Sequence, residues 1–179
     1  MRWLVVATGA LVALAALAAV AGYLIPQTRI TSRSAVLPWR MNRVWDAITA
    51  VGEFPRWRRG VRGVEVLPAI DGRPAWRERV RHGTVSCRVD EMTPPLRLVV
   101  RLTDPGITYS GTWTYELAEV GEATRVTITE RGEIAHPMWR GIARFAFGYD
   151  GNLDAYLSAL DRALSPAVSM PPARRPQDA

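Results

Sequence analysis

The sequence predicts an α+β domain: an antiparallel seven-stranded sheet wrapped around one long C-terminal helix, preceded by a transmembrane helix. Three observations predict it. Alternation with a period of two recurs in six consecutive runs between Val61 and Ile134. An apolar stripe at three- and four-residue spacing runs from Pro137 to Leu164. Residues 3–25 form a run of 23 positions without a charge.

That run, with its flanks, makes residues 1–27 a unit of their own. About 20 apolar residues span a bilayer, and Pro26 closes the stretch. A cleaved secretory signal competes with an anchor, because Ala19-Val20-Ala21 before Gly22 has the small-x-small form of a cleavage site. The apolar run is longer than the roughly 7–15 residues of a signal, which favours an uncleaved single-pass membrane anchor. Arg29, Arg33, Arg40 and Arg43 follow the span, and only Arg2 and the amino terminus precede it. The positive-inside rule then puts the domain on the cytoplasmic side. Arg40 and Arg43 fall within the folded domain, which weakens that count.

The domain itself is assigned to residues 28–164. Thr28–Leu37, rich in Ser, Thr, Ile and Val, reads as a first strand ended by Pro38. Asn42 is the expected cap of a helix whose Val44, Ile48 and Val51 share a face, with Gly52 as its stop. Phe54-Pro55-Arg56-Trp57 reads as a second short helical turn, its proline in the first turn where no amide hydrogen is needed. Six strands follow: Val61–Leu67, Pro74–Arg81, Thr84–Met92, Leu96–Leu102, Tyr109–Leu117 and Thr124–Ile134. Asp71-Gly72, His82-Gly83, Pro94-Pro95, Asp104-Pro105-Gly106 and Gly121 separate them, short links that favour an antiparallel meander. The final helix is interrupted by Gly141, Gly148 and Gly151, each less favourable than alanine by about 1 kcal/mol. Residues 165–179, with four prolines and no apolar pattern, are expected to be a disordered tail.

Composition excludes several classes. One cysteine, Cys87, forbids an internal disulfide, and two histidines, His82 and His136, make a histidine-rich metal site untenable. No metal or other cofactor is expected. All 23 basic residues are arginine, and within residues 28–164 there are 20 of them, interleaved with 16 acids. A nucleic-acid partner would want its positive charge gathered on one face, so none is expected. No Ser-His-Asp arrangement or phosphate loop is present.

The order strand, two helices, six strands and long helix resembles the helix-grip fold of the SRPBCC superfamily. That group includes START lipid-transfer domains, birch-pollen-allergen-like proteins and the polyketide cyclase/dehydrase family. Val44-Trp45-Asp46-Ala47-Ile48, Phe54-Pro55-Arg56-Trp57, Gly111-Thr112-Trp113-Thr114-Tyr115 and Thr124-Arg125-Val126-Thr127-Ile128 carry the resemblance. It implies a cup with an internal cavity for an apolar molecule. It also implies that any catalysis would use a few polar cavity residues without an obligatory cofactor.

Alternation assigns the faces of that cup. Val126, Ile128 and Glu130 share a phase, as do Trp113, Tyr115 and Leu117; Trp76, Glu78 and Val80; Leu98, Val100 and Leu102; and Val85, Cys87 and Val89. Arg77, Arg79 and Arg81 take the opposite phase. The expected ligand-binding set is Trp76, Glu78, Val80, Leu98, Val100, Trp113, Tyr115, Val126, Ile128 and Glu130 on the strands, with Trp139, Ile142, Phe145 and Tyr149 on the long helix. Trp45 and Trp57 are read as packing residues. Glu78 and Glu130 are carboxylates on an otherwise apolar face. Each either pairs with an arginine at the mouth, such as Arg140 or Arg144, sits at a strand end in water, or meets a ligand or a reacting proton. Together with Tyr115 they are the weak candidates for catalysis.

Function follows from the cup. The leading expectation is binding, or carriage, of a hydrophobic small molecule or lipid close to a membrane. A cofactor-independent cyclase, aromatase or dehydratase acting on a polyketide-like substrate is the alternative. A stress-response or interaction module with a collapsed cavity is a third.

Overall fold

The computed structural model describes residues 28–81, 83–102, 109–134 and 151–165, with 3, 6, 8, 9 and 26 besides. Strand β1 (Thr28–Leu37) leads into helix α1 (Met41–Thr49), a single 3₁₀ turn at Val51–Glu53, and helix α2 (Phe54–Trp57). Six strands follow: β2 (Val61–Ile70), β3 (Arg73–Val80), β4 (Gly83–Thr93), β5 (Arg97–Leu102), β6 (Tyr109–Val120) and β7 (Ala123–Ile134). The described part of the last helix, α3, is Gly151–Leu164. The sheet is antiparallel throughout, in the order β1-β7-β6-β5-β4-β3-β2. Six strands thus form a meander, and β1 closes onto β7, with Thr28 opposite Glu133 and Leu37 opposite Thr124.

Pleating buries the predicted faces. Val126 and Ile128 have no exposure, and Leu117, Leu98, Cys87, Val89 and Trp76 are buried with them. On the outer face of the β1–β7 pair, hydroxyls meet across the strands: Ser32 with Thr129 and Ser34 with Thr127, each at 3.0 Å. Further along that face, Arg88 and Arg101 both hold the Asp90 carboxylate, and Arg97 bridges Glu91 and Glu116.

Two local expectations are corrected. Asn42 does not cap α1. The helix starts two residues earlier than such a cap would set it, at Met41 after an extended Arg40 with no side-chain cap. The reason is Met41: with Val44, Trp45 and Ile48 it completes a buried face at i, i+3, i+4 and i+7. Gly52 does not stop the helix either. α1 ends at Thr49, whose hydroxyl bonds the Trp45 carbonyl at 2.8 Å, and Gly52 lies inside the 3₁₀ turn. Strand ends shift by up to three residues. β2 runs on to Ile70 through Pro68, which an edge strand tolerates where a register shift separates Leu67 from Ile70.

Helix α3 lies on the inner face, with Leu153 and Leu160 fully buried. Trp39 donates its indole hydrogen to Asp161 at 2.9 Å, and Arg43 reaches the Leu164 carbonyl at 2.7 Å. Those two bonds tie the β1–α1 corner to the helix end. Pro137 to Asp150, and with it Trp139, Arg140, Ile142, Arg144, Phe145 and Tyr149, lies outside the described residues, as does the expected tail beyond Ser165. The expected membrane span is likewise almost wholly outside them. Among the described residues no helix is long and apolar enough to cross a membrane.

Candidate functional site

The inner face is not filled. A cavity of about 410 Å³ opens between the sheet and the two small helices. Its walls come from Trp76, Glu78 and Val80 on β3, Val85 and Cys87 on β4, Leu98, Val100 and Leu102 on β5, Trp113 and Tyr115 on β6, and Glu130 on β7. Ile48, Phe54, Arg58, Arg59, Gly60, Val61 and Arg81 also line it. Period-two pleating puts the strand residues there, because all of them fall in the inward phase of their strands.

A buried polar cluster sits in this apolar wall. The Glu78 side chain is only 7% exposed and its Oε1 accepts two hydrogen bonds, from Arg58 at 2.7 Å and from the Trp76 indole at 3.0 Å. Arg58 reaches it because α2 ends there. The Arg58 amide still bonds the Phe54 carbonyl at 2.7 Å, but its own backbone is extended, which turns the side chain under the helix. The guanidinium then lies over the rings of Phe54, Tyr156 and Trp113, at 4.6, 5.3 and 6.0 Å from their centroids. Such cation–π contacts stabilise a desolvated arginine that has one charged partner.

Tyr156 of α3 is the hub of the aromatic wall. Its ring meets Trp57 at 5.2 Å, Trp113 at 5.7 Å and Tyr115 at 5.8 Å. Its hydroxyl is buried and has no partner of good hydrogen-bond geometry among the described residues, although it faces the Tyr115 phenol. Burial pushes the Tyr156 phenol up, against the pull of Arg58. Burial, reinforced by Tyr156, holds the Tyr115 phenol well above its usual range. The Cys87 thiol is pushed up to about 12, by burial first and then by the Glu78 charge. Burial would lower the pKa of Arg58, but Glu78 and the two phenols outweigh it and the guanidinium stays firmly charged.

The structure brings Trp76, Glu78, Val80, Leu98, Val100, Trp113, Tyr115 and Glu130 of the expected set to one cavity. It does not bring Val126 and Ile128 there. These belong to the packed core, because they face Leu117 and Tyr115 across the β6–β7 ladder where no space is left. Glu78 is paired, as one expectation had it, with Arg58; Arg140 and Arg144, the arginines expected in that role, lie outside the described residues. Arg81, assigned to the outer face, reaches the mouth of the cavity because β3 ends at Val80 and strict alternation ends with it. Arg58, Arg59 and Tyr156 were missed. The available signal was Glu78 itself: a carboxylate in an apolar phase calls for a counter-charge, and Trp57-Arg58-Arg59 follows the second helical turn directly. Among the described residues no cluster of three or more His, Cys, Asp or Glu could hold a metal ion.

Known proteins place this geometry. The sequence profile of the polyketide cyclase / dehydrase and lipid transport family matches residues 28–164. No curated protein matches the chain. Among solved structures, the Zhui aromatase/cyclase from Streptomyces sp. R1128 superposes with a TM-score of 0.62 at 14% identity, covering 76% of this chain and 93% of that one. A START superfamily protein from Mycobacterium smegmatis gives 0.60 at 16%, covering 75% and 96%. Truncated norcoclaurine synthase from Thalictrum flavum gives 0.60 at 10%, covering 76% and 93%. At these identities the structural likenesses speak for the fold alone, while the profile spans most of the chain: the protein belongs to the polyketide cyclase/dehydrase and lipid transport family.

Proposed function

We propose that this domain binds a small, mainly apolar molecule or lipid in the cavity, held near a membrane by residues 3–25 with the domain on the cytoplasmic side. The observation that carries it is the open cavity of about 410 Å³, within the size range of sites for small organic ligands. Its wall is apolar and aromatic apart from a few charged groups, the deepest of which neutralise each other. A collapsed-cavity interaction module does not fit an interior of that size.

A cyclase or aromatase ranks second. The likeness to Zhui and the inward Glu78 favour it. Against it, Tyr115 is moved away from neutral pH, where a general acid works best, and Glu78 is engaged by two donors on one oxygen.

Titration of the full chain with an uncharged, environment-sensitive naphthylamine dye tests binding. Saturable enhancement is expected, and Val100→Phe, which grows a ring into the cavity, should remove it while the circular dichroism spectrum is kept. Enhancement that does not saturate, or that survives Val100→Phe unchanged, would refute the proposal.

A further inference from the structure

We infer that the cavity takes an amphiphilic anion, apolar end inward, and that Arg59 and Arg81 receive the charged group at the mouth. This orientation presupposes the ligand-binding function proposed above and adds the class of ligand.

Charge placement carries the inference. Val61 pairs with Val80 at one end of the β2–β3 ladder. Arg59, two residues before Val61, and Arg81, one after Val80, therefore come to the same end of the sheet. Both line the cavity and both are exposed. Neither makes an ion pair or side-chain hydrogen bond among the described residues. On the outer face, by contrast, Arg77, Arg88, Arg97 and Arg101 each hold at least one carboxylate. Among the described residues the cavity is thus lined by three arginines, 58, 59 and 81, and by two glutamates, 78 and 130.

Depth decides which arginine an anion meets. Arg58 is already matched by Glu78 at 2.7 Å. A ligand carboxylate placed beside it would also face the Glu78 carboxylate, and like charges at that range in a desolvated site repel strongly. The inner end therefore rejects an anion and accepts hydrocarbon, or a neutral hydroxyl or carbonyl. Among the described residues that line the cavity, positive charge without a protein partner is found at the mouth, where a carboxylate or phosphate keeps part of its hydration. Arginine's planar donor fork suits either group.

The test is displacement of the naphthylamine dye from the full chain by decanoate and by methyl decanoate, which share a tail and differ in charge. Decanoate is expected to bind roughly tenfold tighter at low ionic strength, with the advantage shrinking as salt screens exposed charges. In R59Q/R81Q the acid-to-ester ratio should fall close to one. In R125Q, which removes an exposed arginine from β7 far from the cavity lining, it should stay as in the wild type. Equal affinities in the wild type, a ratio that survives R59Q/R81Q, or one that falls equally in R125Q would each overturn the inference and leave apolar binding standing. Displacement by neither compound would overturn both.

Discussion

Glu78 persists in an apolar wall because two donors are already in place for it. A desolvated carboxylate is costly alone, and removing one member of a buried pair leaves the other charge without compensation. Glu78→Leu should therefore destabilise the domain by about 3–5 kcal/mol, since Arg58 is only 18% exposed in its side chain and loses its one carboxylate partner among the described residues. Adding Arg58→Met should recover most of that loss. Urea unfolding of the three variants measures both steps, and a Glu78→Leu protein as stable as wild type would show that the pair is not buried in solution. The inward phase of Glu78 was legible from Trp76-Arg77-Glu78-Arg79-Val80 alone. Its partner was not, because no periodicity relates Arg58 to Glu78. Only the approach of the α2 end to β3 in three dimensions brings them together.

Strands show the same division between pattern and contact. Which residues face inward could be read from alternation, and β1 matches its predicted range, Thr28–Leu37. Strand ends could not, because irregular register between Val89 and Glu91 and between Leu67 and Ile70 depends on the neighbouring strand. The β6–β7 ladder holds a tighter constraint. Gly111 lies opposite Gly132, and a Cβ on Gly111 would stand 2.3 Å from the Arg131 carbonyl oxygen and 3.1 Å from the Gly132 Cα. The obstacle is backbone and cannot rotate away. Gly111→Ala should cost about 1–3 kcal/mol, in the range of overpacked sites, through separation of the two strands. Urea unfolding checks it, with loss of amide-exchange protection at Arg131 and Gly132 as the local sign. An alanine variant with wild-type stability and protection would contradict this close approach. Gly111 entered the sequence reading only as part of a family-like motif, and nothing in its neighbours announced the contact.

For the whole molecule, the groups buried around the cavity impose a pH dependence. Cys87, Tyr115 and Tyr156 all ionise at higher pH in the folded protein than in an unfolded chain, where values near 8.5 and 10 are usual. Above about pH 9 the unfolded chain has begun to release protons that the folded chain keeps. Stability falls with pH wherever the unfolded state binds fewer protons. The melting temperature should therefore decline steadily from about pH 9 upward, and Cys87→Ala should make the early part of that decline shallower. A melting temperature flat to pH 11 would mean that water reaches these groups. A hollow cup could be anticipated from the order of elements, whereas its residual volume, the Arg58–Glu78 pair and the arginines at its mouth could not. Those depend on how far α2 stands off the sheet, a distance set by packing rather than by period.

An apolar ligand is proposed to occupy this hollow. The most direct measurement is mass spectrometry of an organic extract from the full chain, purified from its own host, beside Val100→Phe carried through the same steps. A near-stoichiometric apolar compound in the wild-type extract and its loss from the folded variant is the predicted result. Identical extracts from the two proteins, or no bound compound in either, would contradict it.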